Sequence, residues 1–309
     1  MGSGYDNFVF SACDALEEIC VNENNQNYMD RKGILFTKDG TVLMKCPSAV
    51  QGDYVIPDGV CIIQYSAFEG CCKLTTITCS DTVTSIGDFA FESCKSLNTV
   101  IISGGVERIP ERAFEYCDAL TRIEVSDKNS NITDIDGVVF SKDGTSLLLY
   151  PRGRQGSYEI PSAVTCIGMG AFRGCDAMTD VAIPNSVVKI EERAFYDSNG
   201  LNDIIIPYNV SDIGDAAFTH CNKLMNIAVS EENQFFRDLD GVLFTKDGKE
   251  ILFYPQGRNG KYVIPDGVNI IDSESFNGCS SLTDIVIPSS VETIENEAFY
   301  SCYNLTNVF

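Results

Sequence analysis

The stretch that decides the fold is residues 160–181, which read IPSAVTCIGMGAFRGCDAMTDV. Its apolar residues recur along the chain in a unit of 23 residues, with the form I-P-x-x-V-x-x-I-G-x-x-A-F-x-x-C-x-x-L-x-x-I. Successive residues in the phenylalanine slot are 23 or 58 positions apart, so a 35-residue insertion follows every third unit and the super-period is 104 residues. The slot is filled by Phe10, Phe68, Phe91, Phe114, Phe172, Phe195, Phe218, Phe276 and Phe299.

One such unit is too small to fold alone, because its few apolar side chains cannot offset the conformational entropy of ordering it, so the units must stack. The Leu-x-x-Ile-x-Ile-Pro segment predicts one short parallel strand per coil, ended by a proline that cannot donate to the ladder. The Ile-Gly-x-x-Ala-Phe-x-x-Cys segment has near-helical spacing over few residues and predicts a helical turn or a short helix. We therefore expect an α/β solenoid in which residues 1–309 form one domain, with 1–4 as an added leader.

Three insertions, at about residues 22–55, 126–159 and 230–263, are homologous to one another. Each contains Lys-Asp-Gly between two apolar runs, with the glycine at Gly40, Gly144 or Gly248. This pattern predicts a β-hairpin whose glycine takes a positive φ. We interpret each insertion as a hairpin that extends one coil of the solenoid. The alternative is that the three evenly spaced hairpins form a second recognition ridge.

The 23-residue pattern resembles the Treponema-type leucine-rich repeat of BspA-like bacterial and protist surface proteins. The resemblance rests on the I-P, I-G, A-F and C slots and covers nearly the whole chain. It implies a right-handed leucine-rich repeat solenoid. It also implies an extracellular or cell-surface location and a role in adhesion and in binding protein partners.

Composition argues against several classes of function. The chain has 22 Lys+Arg against 44 Asp+Glu and a net charge of −22, which argues against nucleic acid or an anionic membrane as partner. No run of 18 apolar residues is present to span a bilayer. The single histidine, His220, leaves little scope for metal or general-base chemistry. We expect no catalytic residue, no metal and no cofactor.

Eight of the fourteen cysteines occupy one repeat slot, in which Ser198 replaces the cysteine of one unit. Neighbouring strands lie about 4.8 Å apart, which is close enough for a disulfide between cysteines of adjacent coils. Side chains in register point the same way, however, so we favour a buried column of free thiols. Cys221 belongs to this column, which argues against a catalytic pair with His220. The column is Cys13, Cys71, Cys94, Cys117, Cys175, Cys221, Cys279 and Cys302.

The acidic segment 127–136 is similar to a calcium-binding loop. It lacks the glycine that such a loop needs at its sixth position, and Val138 stands where the twelfth-position glutamate would be. We therefore predict a turn capped by asparagine instead.

Strand alternation locates a candidate binding face. The isoleucines of Leu-x-x-Ile-x-Ile point into the core, so the residues between and before them face outward. The outward residues between them form what we call the apolar column: Thr78, Ile101, Glu124, Ala182, Ile205, Ala228 and Val286. The residues before them form the polar column, which turns acidic in later repeats: Thr76, Thr99, Arg122, Asp180, Asp203, Asn226 and Asp284.

An apolar stripe edged with carboxylates is typical of a protein-binding surface. The alternative is that β-branched residues simply suit a strand. We expect a non-catalytic module that binds proteins of a host or bacterial surface. A structural spacer within a longer surface protein is the competing hypothesis. The terminal repeats lack the polar caps of other solenoids, which predicts end-to-end self-association.

Overall fold

The computed structural model describes residues 10, 13 and 15–309 of the chain. Contacts group the chain into two compact units, which we call the first and second units: Met1–Gly144 with Pro151–Arg154, and Thr145–Tyr150 with Gln155–Phe309. Residues 1–4, the expected leader, lie outside the described residues. That residues 1–309 form one domain stays a prediction.

The first unit contains strands β1–β11. A parallel sheet has the order β4-β6-β8-β9, a mixed sheet has the order β1-β2-β3-β5-β7, and β10 pairs antiparallel with β11. The strands are β1 Tyr28–Arg31, β2 Ile34–Thr37, β3 Val42–Lys45, β4 Gln51–Val55, β5 Ile62–Ile63, β6 Lys73–Thr78, β7 Ser85–Ile86, β8 Thr99–Ile102, β9 Arg122–Val125, β10 Ile132–Ile135 and β11 Val138–Ser141.

The second unit contains strands β12–β27. The strands of the Leu-x-x-Ile-x-Ile segments and their insertion counterparts form the sheets β13-β15, β17-β19 and β23-β25-β27. Two further groups have the orders β12-β14-β16-β18 and β20-β21-β22-β24-β26. The strands are β12 Ser146–Leu149, β13 Gly156–Glu159, β14 Cys166–Ile167, β15 Met178–Ala182, β16 Lys189–Ile190, β17 Asp203–Ile206, β18 Asp212–Ile213, β19 Asn226–Val229, β20 Phe236–Leu239, β21 Val242–Thr245, β22 Glu250–Phe253, β23 Gly260–Val263, β24 Ile270–Ile271, β25 Leu282–Val286, β26 Thr293–Ile294 and β27 Asn307–Val308.

Each unit is built from solenoid coils, as predicted, but the α part of the predicted fold class is wrong. A coil has a second, two-residue strand that ends at the isoleucine of the Ile-Gly slot, such as β7 or β16. The residues that follow form turns, and no helix occurs among the described residues. The cause is the neighbouring coil, which accepts hydrogen bonds that a helix would make internally: Phe91 N donates to Ala113 O at 2.9 Å and Ser93 N to Glu115 O at 2.8 Å.

Buried aromatic rings form the core of each unit. Phe68, Phe91 and Phe114 stack in the first unit, with ring centroids 5.2 and 5.1 Å apart. In the second unit Phe172 and Phe195 stack at 4.8 Å. Tyr150 and Tyr254, which belong to insertions, continue the stacks onto Phe172 and Phe276 at 5.1 and 5.0 Å.

The insertions contain antiparallel hairpins followed by a coil. Strands β2 and β3 pair antiparallel around Lys38-Asp39-Gly40, and β21 and β22 do so around the matching turn. Gly40 and Gly248 have φ values of 72° and 71°, as the turn requires. An additional antiparallel strand, β1 or β20, precedes each of these hairpins. After the hairpin, β3 and β4 pair in parallel with β5 and β6, so the insertion also contributes one coil.

Candidate binding face

The outward columns of the first unit lie on the sheet β4-β6-β8-β9. Its register aligns Thr76, Thr99 and Arg122 in the polar column and Thr78, Ile101 and Glu124 in the apolar column. The intervening Ile77, Val100 and Ile123 are fully buried. The predicted alternation is therefore present in these strands.

In the second unit the columns lie on three separate sheets. Asp203 aligns with Asn226, and Ile205 aligns with Ala228, across β17 and β19. Ile205 is 64% exposed, whereas the adjacent Ile204 is 1% exposed. The remaining predicted residues lie on β15 (Asp180 and Ala182) and on β25 (Asp284 and Val286).

Three strands of this face were not included in the sequence prediction. They are β4, β13 and β23, which end the insertions and pair in parallel with β6, β15 and β25. The signal for them is Tyr-x-Ile-Pro, as in Tyr54 to Pro57, which repeats the end of the Leu-x-x-Ile-x-Ile-Pro segment. They add residues to both columns: Asp53, Ser157 and Lys261 to the polar column, and Val55, Glu159 and Val263 to the apolar column.

Hairpins end the sheets on which the columns lie. In the first unit the hairpin β10-β11 lies against the edge of β9, where Ile123 N donates to Gly137 O at 3.0 Å and Val125 N to Asp134 Oδ1 at 2.8 Å. In the second unit Ile227 N donates in the same way to Gly241 O at 2.9 Å. The hairpins therefore cover the strand edges at which the sheet would otherwise continue.

The electrostatics of the face differ between the two units. On the first-unit face Arg122 Nε lies 2.7 Å from Glu124 Oε1, and Asp53 accepts a hydrogen bond from Thr75 Oγ1 at 2.8 Å. This bond and a second one from Thr76 lower the pKa of the Asp53 carboxyl. The second-unit strands β13, β15, β17 and β19 contain three carboxylates and no lysine or arginine.

The cysteine column consists of free thiols that bond to backbone carbonyls. Cys94 Sγ donates to Phe68 O at 3.2 Å, and Cys117 Sγ donates to Phe91 O at 3.0 Å. Ser198 Oγ donates to Phe172 O at 2.6 Å in the same slot, so a hydroxyl replaces the thiol as the hydrogen-bond donor. Six members of the column are buried, but Cys13 is exposed and Cys302 is only partly buried.

His220 and Cys221 have separate surroundings. The His220 ring packs edge-on against Tyr196 with centroids 5.0 Å apart, and its φ of 64° places it in a turn. The Cys221 thiol donates to Phe195 O at 3.0 Å, and burial raises its pKa to about 12. A thiol with so high a pKa is not a nucleophile at neutral pH.

A buried asparagine organises the segment that resembles a calcium loop. Asn129 is 1% exposed and donates from Nδ2 to the carbonyls of Ser103 and Val106, at 3.0 and 2.8 Å. Its Oδ1 accepts from the backbone N–H groups of Asn131 and Ile132. Asn233 makes the matching bonds in the second unit. The predicted turn is thus capped by asparagine and tied to the preceding coil.

No group of three or more His, Cys, Asp or Glu side chains among the described residues is arranged to hold a metal ion. The same part of the chain contains no helix with the length and hydropathy needed to cross a membrane.

Parallel coils, an inward aromatic stack and an outward sheet face define this protein as a β-solenoid of the leucine-rich repeat class. The chain belongs to the BspA type leucine rich repeat family, whose model matches six copies over residues 46–149, 152–239 and 249–309. This confirms the resemblance seen in the repeat pattern. Members of this family and fold are typically non-catalytic and typically bind proteins.

Two solved structures are similar to this chain. A leucine rich cell surface protein from Faecalibacterium prausnitzii A2-165 is 26% identical, with a TM-score of 0.54 over 93% of this chain and 77% of that one. A leucine-rich repeat protein from Eubacterium ventriosum ATCC 27560 is 22% identical, with a TM-score of 0.53 over 92% of this chain and 82% of that one, and it supports the fold alone. Comparison with curated proteins gives no match.

Proposed function

We propose that the chain is a non-catalytic protein-interaction and adhesion module of a bacterial-type cell-surface protein. The partner is a protein of a host or bacterial surface, and it binds the outward apolar and polar columns. Family membership supports protein binding, and similarity to the leucine rich cell surface protein from Faecalibacterium prausnitzii supports a surface location.

The observation that carries this proposal is the exposure of large apolar side chains on the sheet face. Val55, Ile205 and Val263 are 63%, 64% and 55% exposed, and all three belong to the apolar column. Covering such a side chain with a partner gives roughly 1–2 kcal/mol. Exposed apolar side chains beside polar residues that fix orientation are the usual centre of a protein interface, and each unit has such side chains in its apolar column.

The test uses a double variant that places charge in the apolar column, Ile101→Lys with Ile205→Lys. The unmodified chain, this variant and a control variant are each tested for binding to an array of immobilised surface proteins from bacteria and epithelial cells. The control variant is Met169→Lys with Val188→Lys, which adds the same charge at exposed apolar residues of the second unit outside the two columns. We expect the face variant to lose at least tenfold in affinity and the control to lose less than twofold.

Equal binding by the two variants would show that the partner binds elsewhere. If the unmodified chain binds nothing on the array, the spacer hypothesis replaces the adhesion module. These two outcomes separate an error in the site from an error in the function.

We also propose self-association through the last coil. Val308 and Phe309 are 61% and 65% exposed, and a second copy would cover such apolar side chains. Sedimentation velocity should show a concentration-dependent dimer that Val308→Lys abolishes. A monomer at all concentrations would contradict this.

A further inference from the structure

The charge on strands β13, β15, β17 and β19 of the second unit identifies a chemistry for a partner that binds there. Strands β13, β15, β17 and β19 lie 104 residues after β4, β6, β8 and β9, so the two sets can be compared position by position. The first-unit set contains two carboxylates and two cations, and one carboxylate is paired with one cation. The second-unit set contains no cation and three carboxylates, which are Glu159, Asp180 and Asp203.

These carboxylates lie beside apolar side chains. Asp180 precedes Ala182 by two residues, and Asp203 precedes Ile205 by two residues, so each pair faces outward about 7 Å apart along its strand. Register places Glu159 next to Ala182. Ala182 is exposed, as Ile205 is. Each of these two strands therefore presents an exposed apolar side chain with an aspartate beside it, and Glu159 adds a third carboxylate next to Ala182.

We propose that this face binds a cationic segment of a partner protein, in which lysine or arginine alternates with apolar residues. The cations contact Asp180, Asp203 and Glu159, and an apolar side chain lies on Ile205. This inference rests on the proposed function and adds the charge of the partner to it.

Charge argues against two other occupants of these strands, an acidic protein and a second copy of this chain. An acidic protein is repelled by three carboxylates that no lysine or arginine on these strands neutralises. A second copy of this chain is disfavoured on this face as well, because pairing the same strands of two copies would bring their carboxylates together. A cationic segment gains from both the local and the overall field, and its association is therefore expected to depend on salt.

The probe is a fluorescein-labelled peptide, Lys-Val-Lys-Val-Lys-Val-Lys, and the counter-probe is the same peptide with glutamate in place of lysine. The face variant is Asp180→Thr with Asp203→Thr, which introduces the residues found 104 positions earlier, Thr76 and Thr99. The control variant is Glu231→Thr with Glu232→Thr, which changes the net charge equally at exposed turn residues. Thermal melts check that both variants are folded.

Fluorescence anisotropy should show that the full chain binds the lysine peptide and does not bind the glutamate peptide. We expect the face variant to raise the Kd about tenfold, and the control to raise it less than twofold, because each exposed ion pair contributes a factor of about two to five. Equal loss in both variants would show that only net charge matters and would overturn the proposal. Equal binding of the two peptides would overturn it too.

The peptide experiment and the test of the proposed function can contradict their proposals independently. If the peptide results are negative while Ile101→Lys with Ile205→Lys still loses a surface partner, the interaction module stands and only the cationic partner is wrong. If that double variant also binds normally, the face itself is wrong.

Discussion

The sheet faces of the two units share their inward side chains and differ in their outward ones. Ile77, Val100 and Ile123 correspond to Val181, Ile204 and Ile227, and all six are buried β-branched residues. Outward, threonine is replaced by aspartate in two coils, and the Arg122–Glu124 pair is replaced by Asn226 and Ala228. Only isoleucine, at Ile101 and Ile205, is the same in both.

This difference shows which constraint acts on each side of a strand. An inward side chain must fill the same space between coils in every copy, so its size and shape vary little. An outward side chain has no such neighbour, so its charge can change without loss of the fold. Function that differs between copies is therefore expected on the outward side.

The largest expected effect separates two adjacent residues of β17. Ile204→Ala should lower the free energy of unfolding by about 3 kcal/mol, because it leaves a cavity between coils. Ile205→Ala should lower it by less than about 0.5 kcal/mol, since that side chain is already mostly in water. Urea unfolding of the two variants measures the difference. Similar losses would mean that the two faces are not distinct.

Removing a buried asparagine should have the next largest effect, and an equal one in both units. Asn129→Ala or Asn233→Ala leaves two backbone carbonyls and two N–H groups without their partner, which costs about 2–3 kcal/mol. Hydrogen exchange should also quicken at the amides of Phe235 and Phe236 in the Asn233 variant. Exposed Asn259→Ala is the control. Unchanged exchange at those amides would show that Asn233 does not hold the turn.

The cysteine slot should tolerate serine but not an apolar residue. Cys221→Ser keeps a donor to Phe195 O and should change the free energy of unfolding by less than about 1 kcal/mol. Cys221→Val keeps the volume but removes the donor, and should cost about 1 kcal/mol more than serine does. Thermal melts of the two variants rank them. The reverse order would mean that packing alone decides the slot.

Replacing the charged pair of the first unit by its second-unit counterparts should have a small effect. Arg122→Asn with Glu124→Ala removes a pair whose side chains are 58% and 42% exposed. We expect the free energy of unfolding to fall by less than about 0.5 kcal/mol, and by less still in 1 M salt, because salt screens an exposed ion pair. Unfolding at two salt concentrations measures this. A larger loss that persists in salt would show that the pair also supports the sheet.

The smallest expected effect concerns the turns, where Glu92 of the first unit corresponds to Tyr196 of the second. Burial, together with Glu69 and Glu115, raises the pKa of the Glu92 carboxyl above its ordinary value of 4.5. A raised pKa favours the folded state at low pH, and that stabilisation is lost as the pH rises through the shifted value. Glu92→Gln should therefore match the unmodified chain near pH 4 and become the more stable of the two toward pH 7. Parallel pH profiles would contradict this.

Repetition explains what could be predicted from the sequence. The alternation of apolar and outward residues along each strand is repeated many times, so the core and the positions of both outward columns could be predicted. The turns could not, because near-helical spacing does not show that Phe91 N bonds to the next coil. Strands β4, β13 and β23 were missed because the insertions lack the leucine slot that begins the other strands. The breaks in the columns depend on where the hairpins fold.

The most direct test transfers the outward residues of the second unit to the first. The variant combines Asp53→Ser, Val55→Glu, Thr76→Asp, Thr78→Ala, Thr99→Asp, Arg122→Asn and Glu124→Ala, and it leaves every inward residue unchanged. Isothermal titration calorimetry with the lysine–valine peptide should give one site for the unmodified chain and two for this variant, with the melting temperature within a few degrees. An unfolded variant, or one that still binds a single peptide, would contradict the claim that outward residues alone set what each face binds.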